Sequence, residues 1–183
     1  MKAIQHFSAG RRGFIWDASI RMASFMTVRV RDSYLEGQGS MRGKLLSIVT
    51  VINEYGKSEL NEGALQRYLA EAVWFPTAFL PSQGVEWSEI DDYIARATIT
   101  DSNTKISLDF HFNEAGEITD VYTHGRYREV NGKYELTPWS GRYHKYEAKN
   151  GIRIPVEGEV EWELPEGSFT YWKAQIIGIE YTY

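Results

Sequence analysis

The sequence predicts an α+β fold in which a single curved antiparallel β-sheet, an open or incomplete barrel, wraps around one main α-helix at about residues 58–74. Three observations predict it. The run Gln66–Pro81, QRYLAEAVWFPTAFLP, carries the one convincing helical pattern and ends abruptly in aromatics and prolines. Most of the remaining chain reads as short segments in which apolar and polar residues alternate. Asn131/Gly132 and Asn150/Gly151 are dipeptides that favour tight hairpins, so successive strands are expected to run antiparallel.

In FMTVRVRD, Met26, Val28 and Val30 point to one side and Thr27, Arg29 and Arg31 to the other, a strand with one wet face. GFIWDASIRM before it and GSMRGKLLSIVTV after it read as neighbouring strands, with Gly37 and Gly39 supplying the turn, so the first third is a β-meander. VINEYGKSELNEG is polar and glycine-punctuated; Ser58 is placed as the N-cap, with Glu59 and Glu62 in first turns where the helix dipole favours acids. Ala64, Leu65, Tyr68, Leu69, Ala72 and Val73 then form one apolar stripe, while Arg67 and Glu71 make an i,i+4 pair on another side. Pro76 disfavours helical backbone at Phe75, so the helix stops near Trp74, whose ring would lie opposite the stripe and need another surface to cover it. WFPTAFLP is the candidate lip of a cleft; the competing expectation is that TAFLPSQGVEW tucks back over Trp74 and closes a satellite core. Beyond it, YIARATIT, KISLDFHF, ITDVYTHGRYREV, KYELTPWSGRYHKYEA, IRIPVEGEVEWEL and TYWKAQIIGIEY form an antiparallel meander, in which Ile106, Leu108, Phe110 and Phe112 share one face. No linker or repeat divides the chain, so residues 1–183 are expected to form a single domain.

Composition excludes more than it selects. A chain of 183 residues, 43% hydrophobic and 14% aromatic, can bury roughly 70% of its unfolded surface around one core. The formal charge of −5 argues against a phosphate-binding surface, so nucleic acid is not an expected partner. The absence of cysteine removes disulfides, thiolate metal sites and thiol nucleophiles. His6, His111, His124 and His144 lie on separate segments, and no metal site is expected from them. GxSxG, GK[ST] and GxGxxG are missing, so no catalytic residue and no cofactor is assigned. No apolar run approaches the ~18 residues of a membrane helix, and MKAIQHFSAGRRGF lacks the apolar middle of a signal peptide. A soluble, cytoplasmic protein is expected.

The sharpest polar feature is EGEVEWE, which puts Glu157, Glu159, Glu161 and Glu163 on one strand face. A two-residue hairpin at Asn150/Gly151 would set Arg142 opposite Glu159, His144 opposite Glu157 and Tyr143 opposite Gly158. The same counting at Asn131/Gly132 pairs Arg128 with Glu135. A charge-laced outer face is therefore expected. The alternative is an acid/base hydrolase, because glycosidases use carboxyls ~5 to 9.5 Å apart; Glu71, Arg96, Arg142 and Glu159 are its possible polar site, with Asp91 and Asp92 as further candidates.

RYLAEAVWFPTAFLPSQGVEW, followed by TPWSGRYHKYEAKNGIRIPVEGEVEWELPEGSFTYWK, resembles the bacterial family of unknown function DUF6544, formerly DUF6920. The resemblance runs from about Gly13 to Lys173 and is carried by Arg67, Tyr68, Leu69, Glu71, Trp74, Pro76, Trp87, Pro138, Trp139, Gly141, Ile154, Pro155, Gly158, Glu159, Trp162, Tyr171 and Trp172. It implies no reaction and no catalytic residues. Members commonly carry additional sequence before the counterpart of Gly13, which this chain mostly lacks, so the resemblance leaves an N-terminal strand or membrane anchor, and with it the localisation and the first sheet edge, open. The expected architecture is also similar to that of LolA-like lipoprotein carriers, which hold acyl chains between sheet and helix. That analogy makes a lipid or other apolar small molecule the expected ligand, bound by Trp74, Phe75, Phe79, Leu80 and Trp87. A structural or protein-interaction module working through an exposed strand edge is the competing expectation, and the oligomeric state is left open.

Overall fold

The computed structural model describes residues 1–23, 26–45 and 49–182. Phe25, Leu46, Ser47 and Ile48 of the expected strands, and the side chains of Met22, Met26 and Val49, lie outside the described residues. The class is α+β as expected, with every strand pairing antiparallel, but the strands fall into two hydrogen-bonded sheets. The first comprises β1 (Lys2–Ser8), β2 (Gly13–Ala23), β3 (Met26–Leu35), β4 (Gln38–Leu45) and β5 (Val49–Tyr55) in sequence order. The second runs through β6 (Val85–Asp91), β7 (Ile94–Asp101), β8 (Thr104–Phe112), β9 (Ile118–Val130), β10 (Lys133–Lys149), β11 (Ile152–Leu164) and β12 (Gly167–Gln175). Neither sheet closes on itself. GSMRGKLLSIVTV, read as one strand, contributes to two paired ones, while β1 and β6 were not expected as strands at all.

Both hairpin dipeptides act as their chemistry requires. Asn131 and Gly132 have φ of 52° and 77°, Asn150 and Gly151 of 50° and 83°, the left-handed pair that matches strand twist. The registers follow: Arg142 pairs with Glu159, His144 with Glu157, Tyr143 with Gly158 and Arg128 with Glu135. A bulge between Thr137 and Trp139 shifts β10 against β9 beyond that point.

The helix α1 (Ser58–Glu71) continues as a 3₁₀ turn over Ala72–Trp74 and breaks at Phe75, as Pro76 demands. Its N-cap is Lys57, one residue before the expected Ser58, and it offers no side-chain cap; the Ser58 hydroxyl donates to Glu59 instead. The helix lies against β3 and β4 of the first sheet and β8 and β9 of the second. That is why two sheets form where one was expected. A single stripe would bury Leu65, Tyr68 and Leu69, yet Gln66 and Glu71 are buried too, Gln66 bonded to Gly125 of the second sheet and Glu71 to Gln5 of the first. Phe14 and Tyr34 enter the core from the first sheet, and Ile99, Leu108, Phe110, Val121 and Ile154 from the second.

The expected final strand, TYWKAQIIGIEY, ends at Gln175. Past the Ile176 amide, which donates to the Val156 carbonyl, the tail leaves the ladder; the Asn150 amide donates to the Ile179 carbonyl and the Tyr181 hydroxyl to the Trp74 carbonyl.

Candidate functional site

The interior holds a layer of charge where helix and first sheet meet. Cross-strand pairing sets Gln5, Trp16 and Asp32 side by side on β1, β2 and β3. Arg67, one face away from the apolar stripe, projects onto this row. It bonds Asp32 through Nη1, Glu71 through Nε at 2.9 Å and Gln5 Oε1 through Nη2 at 3.1 Å, while Gln5 Nε2 donates to Glu71 at 2.7 Å. Its guanidinium also lies 4.6 Å from the Phe14 ring centroid and 5.3 Å from that of Trp16. Burial pulls the Arg67 pKa down, but Glu71 and Asp32 outweigh it and the net direction is upward. The expected i,i+4 pair is thus one edge of a closed, buried network in which both carboxylates share one cation.

A second arginine is placed differently. Arg126, on β9 two residues before Arg128, is half-buried between the helix and the second sheet. Its Nη1 donates to the Gly63 carbonyl at 2.7 Å and to Gln66 Oε1 at 3.3 Å, and Gln66 is itself anchored to the Gly125 carbonyl. The guanidinium lies 5.1 Å over the buried Trp139 ring. Among the described residues no carboxylate oxygen comes within 4.0 Å of Arg126 and no acceptor takes its Nε or Nη2. Burial lowers its pKa, which Tyr171, Asp32 and Glu71 partly offset. Glu62 on the helix feels the same charge without pairing to it, and burial raises its own pKa.

Trp139 belongs to an aromatic row on the inner face of the second sheet. Register puts Trp139 beside Trp162 and Trp162 beside Phe169. Tyr171 stacks on Trp162 at 5.5 Å, and its hydroxyl accepts the Trp139 indole N–H at 2.9 Å. The row grades from dry to wet: Trp139 is 3% exposed, Tyr171 44% and Phe169 56%. Arg126, Asp32 and Phe169 were not singled out from the sequence. The signal for Arg126 was present in the Asn131/Gly132 hairpin, whose register sets it opposite Thr137, two residues before Trp139.

The five expected ligand residues divide into two groups. Trp74 is closed in: its indole N–H donates to the Pro155 carbonyl at 2.9 Å, its ring meets Tyr143 edge-on, and Gly158 leaves room for it. Phe75 stacks on Phe7 at 4.2 Å. Phe79 and Trp87 instead pack with Phe110 and, for Trp87, Phe112, leaving Leu80 exposed beside them. TAFLPSQGVEW therefore does not cover Trp74; Tyr143, Pro155, Gly158 and the Trp74-bound tail do. Two open hollows of about 600 and 470 Å³ flank the β6–β7 turn, lined by Asp91, Tyr93, Ile94 and Phe112 and, in the smaller, Trp87 and Glu89.

The polar candidates separate as well. Glu71 is interior, whereas Arg96 forks onto Asp109 at 2.6 and 2.8 Å on the opposite face of the second sheet. Arg142 and Glu159 approach to 3.7 Å on that same outer face. There Arg142 reaches the buried Glu161 at 2.5 Å, which also accepts from Thr170 and Ser140, and Lys173 holds Glu159 at 2.6 Å and its carboxyl below the usual range. The acidic row is thus compensated by cross-strand cations. Among the described residues no group of three His, Cys, Asp or Glu converges as metal ligands. No helix among them is long and apolar enough to cross a membrane.

Fold and site together define an α+β protein with its α-helix between two antiparallel sheets, a buried ionic layer and a half-wet aromatic row beside an arginine with donors that meet no acceptor among the described residues. The family's sequence model matches residues 1–181, and the chain belongs to DUF6920, a family of unknown function. No curated protein matches the chain. No solved structure matches it either, so the likeness to LolA-like carriers is without support from that side.

Proposed function

We propose that this protein is a non-catalytic binder or carrier of a lipid or other apolar small ligand, acting as one domain over residues 1–183 and holding the ligand between helix and second sheet. The supporting observation is the Trp139–Trp162–Phe169 row with Tyr171 stacked upon it, because large rings aligned by register yet left half wet are a surface that an apolar ligand would dry. Removing such surface from water is favourable by about 25 cal/mol per Å². The site lies beside the N-terminal half of the helix; Trp74, at its other end, is filled by its own neighbours. Phe79, Leu80 and Trp87 form a second apolar surface at the β6 corner. A cytoplasmic location belongs to the same reading and is checked by cell fractionation.

The test is native mass spectrometry of the gently purified protein, with titration of the neutral dye N-phenyl-1-naphthylamine. A discrete adduct released on denaturation, and dye binding weakened about tenfold by F169A, are expected. No adduct and no dye binding would overturn the reading. One observation favours a second: β6 sits at a sheet edge and all but its first residue is exposed, so a protein-interaction module working through that edge is the alternative. It predicts a concentration-dependent dimer that proline substitution at Ser88 abolishes.

A further inference from the structure

Arg126 leaves one whole edge of its guanidinium without a protein acceptor among the described residues. Arg67 is the contrast, with every guanidinium nitrogen bonded: three polar partners, two of them carboxylates. Arg126 has Nη1 engaged by Gly63 and Gln66, and its Nε–Nη2 edge meets no acceptor among the described residues. That edge presents two parallel N–H groups, the geometry that receives both oxygens of a carboxylate. Next to it, Tyr171 has accepted a proton donor, the Trp139 indole, and keeps its own O–H to give. Both groups meet one ring, the guanidinium over its face and the hydroxyl at its Nε1 edge, and Tyr171 is near enough to act on the Arg126 charge. From there the apolar surface continues outward over Trp162 to the exposed Phe169.

We propose that Arg126 and Tyr171 form the head-group site for an amphiphilic carboxylate, whose apolar chain lies along Trp162 and Phe169. The inference rests on the apolar-ligand reading and deepens it by naming the ligand's charged end. The occupant follows from complementarity: a neutral chain leaves two guanidinium donors unpaired in a partly dry site, and a cationic one is repelled. The bland account is that Arg126 balances, at a distance, the excess charge of Asp32 and Glu71 over Arg67. That account predicts an effect on stability and none on ligand choice.

The experiment is displacement of N-phenyl-1-naphthylamine by decanoate, 1-decanol and decyl phosphate, which share a chain and differ in the head. Wild type is expected to prefer decanoate over decanol by about 10- to 100-fold, as charge-assisted hydrogen bonds allow. R126Q should bring the two within about twofold, chiefly by weakening decanoate. Y171F, which keeps the stacked ring, should lower the decanoate preference several-fold and serves if R126Q fails to fold. Equal binding of decanoate and decanol by wild type overturns the head-group site and leaves the apolar reading standing. Binding of none of the three overturns both. Decyl phosphate at least as tight as decanoate assigns the site to phosphate heads and overturns the carboxylate.

Discussion

Replacing Arg67 with methionine isolates the contribution of the ionic layer. Methionine fills a similar volume without charge, so the perturbation removes the cation and its hydrogen bonds and leaves the packing largely in place. The Arg67, Asp32 and Glu71 side chains are 20%, 12% and 11% exposed, so two carboxylates would be stranded largely out of water, with Gln5 serving Glu71 alone. Removing one partner of a buried charge pair costs about 3–5 kcal/mol. The lost stacking on Phe14 and Trp16 adds up to about 1 kcal/mol at each ring. For a chain of this size the charge term alone corresponds to a fall in Tm of roughly 6–20 °C. Urea and thermal unfolding followed by circular dichroism measure it. The triple variant R67M/D32N/E71Q, in which no charge is stranded, should recover most of the loss. A deficit for R67M under about 1 kcal/mol would refute the reasoning, as would a triple variant less stable than the single one.

Three further outcomes follow from individual contacts. Gly158 faces Trp74, and a Cβ there would lie 3.1 Å from Trp74 Cζ2, so G158A should cost about 1–3 kcal/mol by overpacking and shift the tryptophan emission. Arg142 bonds the nearly dry Glu161, so R142Q should cost about 2–4 kcal/mol at neutral pH, and a neutral Gln at 161 in the same chain should restore most of it; equal stability of R142Q and wild type would count against a buried pair. Burial raises the pKa of Tyr34, Tyr68 (to about 12), Tyr143 and Tyr146. A folded pKa above the unfolded value of about 10 means their contribution is complete below pH 10 and is lost as pH rises beyond it. Unfolding midpoints should therefore fall steeply above about pH 10, and Y143F, which also strands the Ala70 carbonyl, should flatten that slope; an unchanged midpoint at pH 11 would oppose it.

The parts of the fold legible in the sequence are those set by local chemistry. Asn–Gly turns determine register by counting, so the pairings of Arg142, His144, Tyr143 and Arg128 follow from residue numbers alone. Pro76 likewise ends the helix where its ring geometry requires. The division into two sheets was not legible, because Arg67 and Glu71 read as solvent-exposed until Asp32 and Gln5 of the first sheet are known to meet them. Those partners lie 35 and 62 residues away, and although alternation carries Asp32 onto the face of Met26, Val28 and Val30, nothing local pairs it with Arg67. The candidate site was hidden for a related reason. Trp139, Trp162 and Tyr171 stood out as family-like positions, but their meeting with Arg126 depends on an extra residue in β9 opposite Thr137–Trp139 and another in β12 at Tyr171, which no pattern announces.

Arg67 and Arg126 offer the sharpest comparison, since they pack against the same helix and differ in what they leave unpaired. Removing Arg67 strands carboxylates; removing Arg126 strands a carbonyl and an amide oxygen, because no carboxylate among the described residues is in contact with it. Glutamine at 126 can still reach toward the helix, so R126Q should cost about 1–2 kcal/mol, well below R67M. A residue retained for stability alone would be expected to close its hydrogen bonds as Arg67 does, while one kept for a ligand must hold donors open and forgo that stabilisation. Unfolding of the two variants in parallel decides between these roles. If R126Q is destabilised as much as R67M, Arg126 is a structural counterion to Asp32 and Glu71, and the head-group site loses its cation; if it is nearly as stable as wild type yet blind to carboxylate, the open edge is there to be filled.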